Sequence, residues 1–563
     1  MELELRRQTV PSCETILEET AEQPVECDAL LPDYCPDIRR ILKCTLTPVP
    51  MGRTVTAGRL EIEGLANINV LYISAGGEPA RGEYKVPFTR MMELHGEAGD
   101  PITTMSMTAG QVSCRAVNPR RLEIRGSVVI SAAVTSCRLD KILEGCEDPS
   151  VQLRQTEQKG TRLCGSVSGE QRLSKTTGLE GNALPVTRVL RCDAAVARRE
   201  EKWSGGKLIV SGEVQATACC ADQNGGWQTA ECTLPFEAAL DCPEGEDAEF
   251  DLRCLALAPA AEPVQDSDGE YRSLEWSVAL AAEAKIYRPY TLCCCTDGYS
   301  TRYRSECKSK TLQTVELVNI CRESETYREM LPLPEAAGEV TALWVRVDGC
   351  SVSPDGDGLL AEGRLGLTLL TRMGDGEYYS FDRTVEVQRR LTCDGDCRWE
   401  AVLECRSFRW EQTGSELSLT CELCWRGAVC RTRRTAVLEE MTVDEASPKE
   451  NCRPRGLYIY MAQEGESLWE IARRYNTGEA KIREDNGEMG ENCPAGPLLI
   501  PARRTDRTKD ANGRNENGST KRAVPRYSDQ NRRRHLHRGG GTGAHREIHL
   551  YQALYGDHGA APH

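Results

Sequence analysis

Histidine is almost missing from this 563-residue chain until its last segment: of seven, His95 is the only one before His535. Cys–His peptidases, Ser–His–Asp hydrolases and His-ligated zinc amidases all need an imidazole as base or ligand. The first 534 residues offer them only His95, in the polar turn Leu94 to Asp100. A glycosidase needs only two carboxylates, and 86 Asp and Glu residues leave that route open on composition. No Gly-rich phosphate loop stands in a strand–turn–helix setting; Asp355 to Gly358 and Gly374 to Gly376 read as hairpin turns. No apolar run approaches the roughly 18 residues that span a bilayer. The opening residues, Met1 to Arg7, have no apolar core of an export signal. These absences predict a cytoplasmic, non-enzymatic chain with no catalytic residue, cofactor, metal or transmembrane segment.

Cysteine, by contrast, is abundant at 28 residues. Without an export signal these read as reduced thiols, and Cys44, Cys192, Cys219 and Cys254 fall at apolar strand positions where a thiol acts as a small hydrophobe. Cys421, Cys424 and Cys430, the Cys393/Cys397 pair and the run Cys293 to Cys295 have spacings reminiscent of zinc or redox sites. No histidine lies near to complete a tetrahedral set, and alternation from Leu417 to Trp425 puts Cys421 in a strand register.

An internal repeat organises the chain as far as residue 440. Cys44 matches Cys192, Gly64 matches Gly212, and Pro87-Phe88 matches Pro235-Phe236, all at one offset of 148 residues. A third, weaker copy runs from Ala342 through Leu359 to Gly363 and on to Leu417 to Cys424. Each copy closes on a period-two run, such as Arg121 to Ile130 and Leu274 to Leu280, which predicts antiparallel strands with one buried face. The expected fold is mainly β and multidomain: three β-rich repeats over 10–145, 165–292 and 325–440, then a small βααβ domain over 457–502.

The small domain is legible from local physics. Ser467 and Glu470 have capping-box spacing. Leu468, Ile471, Ala472 and Tyr475 then share one helical face, with Arg473 and Arg474 towards water. A second helix fits Glu479 to Asn486, ended by Gly487, and Leu457 to Met461 and Leu498 to Ile500 fit flanking strands. So few residues can fold only if nearly every apolar side chain is core, so Trp469 and Tyr475 are expected there.

The order Gly465-Glu-Ser-Leu-Trp-Glu-Ile-Ala472, Tyr475, Asn486, Gly496 and Leu499-Ile-Pro501 resembles a LysM domain. That resemblance implies a binding module, most often for N-acetylglucosamine-containing glycans such as peptidoglycan. It also implies a groove between two loops, with Gly465, Glu466, Ser467, Asn486, Pro494 and Gly496 as ligand- or partner-binding residues. On loops, Glu466 and Asn486 are expected to serve recognition rather than packing. Leu31-Pro-Asp-Tyr-Cys-Pro-Asp37 through Cys44, with Val117 to Gly126, resembles the SPOCS domain of endospore-forming bacteria. SPOCS repeats followed by LysM imply a scaffold for spore coat assembly in the mother-cell cytoplasm, at the outer surface of the forespore. The implied partner is the ATPase of the coat basement layer or another coat protein, the alternative being cortex glycan.

Charge is uneven. Residues 502–563 carry 13 Lys and Arg against 6 Asp and Glu, a basic tail of +7 on a body of −23. Arg532 to Arg534 form its densest basic run, but no aromatic residue follows that run before Tyr551, so 503–563 reads as a disordered, solvated tail rather than a nucleic-acid site. Six of the seven histidines lie in the last 29 residues, an abrupt break in composition that a change of reading frame would produce.

Overall fold

The computed structural model of the protein describes residues 4–449 and 458–501, apart from residues 57, 182, 244, 335–337 and 488. The expected basic tail, 503–563, and the expected strand start at Leu457 lie outside the described residues.

The three repeats share one topology. Unit 1 comprises β1 (Leu5–Leu30), β2 (Ile38–Thr56), β3 (Arg59–Ser74), β4 (Pro79–Glu93), β5 (Asp100–Asn118) and β6 (Arg121–Cys146). Its first and last strands pair over their whole length and carry β5 in a sheet of order β1-β6-β5, while β2-β3-β4 form a second sheet. Unit 2 repeats this with β7 (Val151–Gly178), β8 (Val186–Ser204), β9 (Lys207–Asp222), β10 (Trp227–Asp241), β11 (Glu249–Val264) and β12 (Ser273–Ser300). Unit 3 follows with β13 (Tyr303–Pro332), β14 (Glu339–Asp355), β15 (Gly358–Arg372) and β16 (Tyr378–Thr392). Its fifth strand is broken into β17 (Cys397–Trp399) and β18 (Val402–Thr413), both paired with β19 (Glu416–Pro448). The strands overrun the bounds expected from sequence: 146–164 and 293–324, read as lying between repeats, are largely strand of the long hairpins.

The repeat signature has a packing cause. Gly64 and Phe88 are cross-strand partners on β3 and β4, and a Cβ on Gly64 would meet the Phe88 ring at 2.2 Å. Glycine is needed so that the aromatic ring can lie across the strand, and Gly212 and Phe236 repeat the pairing in unit 2. In unit 3 the partner of Gly363 is Val387, and Leu403 and Trp425 fill the space instead, which is why that copy reads as the weakest.

Two bulges recur at equivalent places in every long hairpin. The unpaired residues are Ile16, Cys164 and Val318 on the first strands and Glu144, Thr296 and Glu439 on the last. A bulge bends its strand and increases twist, so all three hairpins curve alike. The units thereby meet around a common centre. One apolar layer joins Leu42, Leu71 and Ile73 of unit 1 to Leu190, Cys219 and Ala221 of unit 2 and to Ala342, Trp344 and Leu370 of unit 3. A second joins Ile142, Cys294 and Val437, and a third Leu143, Cys295 and Leu438. Ion pairs cross the seams as well, including Arg53–Glu283, Arg199–Glu404 and Lys43–Asp382.

The C-terminal module is β20 (Tyr458–Ala462), α1 (Leu468–Arg474), α2 (Glu479–Asn486) and β21 (Gly496–Ile500), with β20 and β21 antiparallel. Leu468, Ile471, Ala472, Ile482, Leu498 and Ile500 form its core at 3% exposure or less. This is the expected βααβ unit, and Gly487 ends α2 at φ +85°.

Candidate functional site

The two loops of the C-terminal module approach each other as a short ladder. Gly465 N donates to Cys493 O at 3.0 Å, Cys493 N to Glu466 O at 2.8 Å, and Leu468 N to Glu491 O at 3.0 Å. This explains a departure from expectation. Ser467 does occupy the N-cap of α1, but its hydroxyl makes no capping bond, because the strand-like bridge to Asn492 holds it extended and Glu491 already accepts the Leu468 N–H. Glu464, Gly465, Pro494 and Ala495 are left exposed at the rim where the loops meet, and Gly465 turns the chain there at φ +80°.

Of the expected binding residues, Gly465, Glu466, Ser467 and Pro494 gather on these loops, Gly496 opens β21 beside them, and Asn486 does not join them. Its side chain donates to Ile482 O and Leu499 O, both at 2.7 Å, and accepts from Leu499 N at 2.6 Å. Whatever its part in recognition, Asn486 fastens the end of α2 to β21, since a side-chain amide supplies both the donors and the acceptor an unpaired strand edge needs. Glu466 is likewise held within the module, accepting from Tyr460 Oη at 2.8 and 3.0 Å and pairing with Arg474 at 3.3 Å. The Tyr460 hydrogen bond, helped by the Gln463 N–H and Arg474, holds its carboxyl below the ordinary glutamate value.

Tyr475 is half-buried rather than sealed in the core. It stacks with Tyr458 and Tyr460, ring centroids 5.2 and 5.6 Å away. Trp469 is 5% exposed, and residues outside the module bury it. Tyr299, at the end of β12 in unit 2, meets its ring edge-on at 4.9 Å, and Trp469 Nε1 donates to Asp297 at 2.8 Å. Arg473 pairs with the same carboxylate at 2.8 Å, while Tyr299 Oη donates to Thr477 O at 2.6 Å. Asp297 and Tyr299 escaped the sequence reading. The signal that marks them is a break in the repeat: Gly145 and Glu440 stand where unit 2 has Asp297, judged by the shared bulge one residue earlier.

On the opposite side, the β20–β21 sheet turns Ile459 and Met461, 55% and 65% exposed, away from the helices, cross-strand from Leu499 and Pro497. Among the described residues no group of three or more His, Cys, Asp or Glu side chains could hold a metal ion, and no helix is long and apolar enough to cross a membrane.

Two segments match known protein families: residues 37–117 match the SipL, SPOCS domain, and residues 460–494 match the LysM domain. The chain carries a SPOCS domain and a LysM domain. The SPOCS match spans β2 to β5 of unit 1, and units 2 and 3 repeat its topology and register. The LysM match covers α1, α2 and both loops of the ladder. No curated protein and no solved structure matches the chain. A SPOCS domain with a LysM domain fits a sporulation-related protein with the capacity to bind glycan.

Proposed function

We propose that the chain is a non-enzymatic scaffold of spore coat assembly, which anchors a coat precursor protein at the forespore surface through its SPOCS-like units and its LysM domain. In this reading it acts in the mother-cell cytoplasm, and its partner is the ATPase of the basement layer or another coat protein. The observation that carries the reading is the seat of the LysM domain. Tyr299 and Asp297 lock α1 against unit 2, so the loop rim and the apolar sheet face with Ile459 and Met461 are presented on a rigid body. A glycan reader needs polar groups and stacking faces along a groove, whereas an exposed apolar sheet face suits a protein surface. Contacts from the units then add avidity to those of so small a module.

The second reading, binding of cortex glycan, is favoured by the LysM match itself. Binding of the full chain to basement-layer protein and to cortex peptidoglycan under reducing conditions separates the two. The doubly substituted Ile459→Lys, Met461→Lys chain, altered only at exposed positions, is expected to lose protein binding at least tenfold. Micromolar affinity for glycan with no detectable binding of protein overturns the scaffold reading and promotes the second.

A further inference from the structure

Among the described residues no cysteine is in a disulfide, and the distribution of the cysteines along the sheets is not uniform. Cys13 on β1 and Cys137 on β6 are Cα partners in the antiparallel ladder, the one directly opposed cysteine pair among the described residues. Their sulfurs lie 2.8 Å apart. Directly opposed residues in such a ladder have Cα atoms about 4.5–5.5 Å apart, inside the window of about 4.4–6.8 Å that a disulfide requires. Other thiol neighbours lack this alignment: Cys405 faces Leu423 rather than its neighbour Cys421, and Cys44 and Cys114 belong to different sheets. Both Cys13 and Cys137 are only half-buried, so a small oxidant reaches them without unfolding.

We propose that Cys13 and Cys137 are a site of disulfide formation, through which a low-molecular-mass disulfide covalently fastens β1, the edge strand of its sheet, to β6. One hydrogen bond joins the two thiols, and either sulfur can be its donor. The sulfur that ionises first attacks and the other resolves. The first thiolate attacks one sulfur of oxidised glutathione, forming a mixed disulfide and releasing one glutathione thiolate. The second thiol gives up its proton to solvent, and its sulfur attacks the protein sulfur of the mixed disulfide, displacing the second glutathione. Two protein thiols are oxidised by two electrons, and one glutathione disulfide is reduced to two thiols. The bond joins residues 124 positions apart in sequence, so the strand that opens the chain is tied to the strand that closes unit 1.

The test is peptide mapping of the full folded chain after incubation in oxidised glutathione, with free thiols blocked by alkylation. Cleavage after Lys, Arg and Glu isolates Cys13 in residues 8–14 and Cys137 in residues 126–138, each with no other cysteine. The expected result is the linked pair of these peptides, at least tenfold more abundant than any other cysteine–cysteine link. The Cys13→Ser and Cys137→Ser chains should each lack it while retaining the far-ultraviolet circular dichroism of the parent. Recovery of both peptides singly alkylated, or linkage of Cys13 and Cys137 no more frequent than that of Cys405 and Cys421, overturns the proposal.

Discussion

The SPOCS-like units and the LysM domain solve the same problem, sealing an apolar core, from opposite ends of the size scale. Each unit buries a long alternating face between its own two sheets, then uses the ends of its strands to meet the other two. The LysM domain has two helices and two five-residue strands, and its Trp469 is covered only because unit 2 supplies Tyr299. A small module on a large body can thus borrow a wall of its core. The cost is that its stability and its orientation are no longer its own.

The largest expected effect comes from removing equal volume on each side. Leu468 and Leu122 are both fully buried, and either Leu→Ala change should cost about 2–5 kcal/mol. In the LysM domain this exceeds what so small a core supplies, so Leu468→Ala should unfold residues 458–501 while the units stay folded. Leu122→Ala should lower the melting temperature of the units without unfolding them. Amide hydrogen exchange resolved by segment checks both, and a protected LysM domain in Leu468→Ala breaks the contrast.

Next comes Asn486→Ala, which removes the side-chain partner of Leu499 N–H and of the Ile482 and Leu499 carbonyls. Stranding such groups costs about 1–3 kcal/mol, read as a lower LysM melting transition in the full chain. An unchanged transition leaves Asn486 with recognition alone. Tyr299→Phe keeps the ring against Trp469 and deletes the hydrogen bond to Thr477 O, worth about 1 kcal/mol. It sharpens the comparison because the substitution lies in unit 2 and the loss should appear in LysM exchange rates.

The smallest effect is one of pH. Glu466 has a folded value below the unfolded one, through Tyr460 first and then Gln463 and Arg474, so its contribution is present above the ordinary glutamate range. It should fade as pH falls through the lowered value. The parent and Glu466→Gln should therefore differ in LysM melting temperature at neutral pH and converge in acid. Exposure to solvent keeps the gap modest, and a gap that widens in acid contradicts the assignment.

Much of this was legible locally. Helix α2 lies over Glu479 to Asn486, as the sequence predicts, since a glycine stop acts over a few residues. The repeat offset was readable because Gly64 and Phe88 must change together to keep a ring over a glycine. By sequence Glu466 and Asn486 are loop side chains suited to recognition, yet both are bonded within the module. Their partners, Tyr460, Arg474 and Leu499, come together only when the helices fold back on the strands.

Alternation along the strands, the order of strand types and the βααβ pattern are set by the sequence alone, because period two and period 3.6 are properties of neighbours in the chain. The joining of three units around one centre is not. Alternation fails at Val70 to Ile73 and at Ala218 to Ala221, where both faces are buried. A local reading cannot say what covers the second face. Only the tertiary structure supplied the answer: other units lie against Leu71 and Cys219, and Tyr299 lies against Trp469. Burial is decided by residues hundreds of positions away, and no spacing rule carries that information.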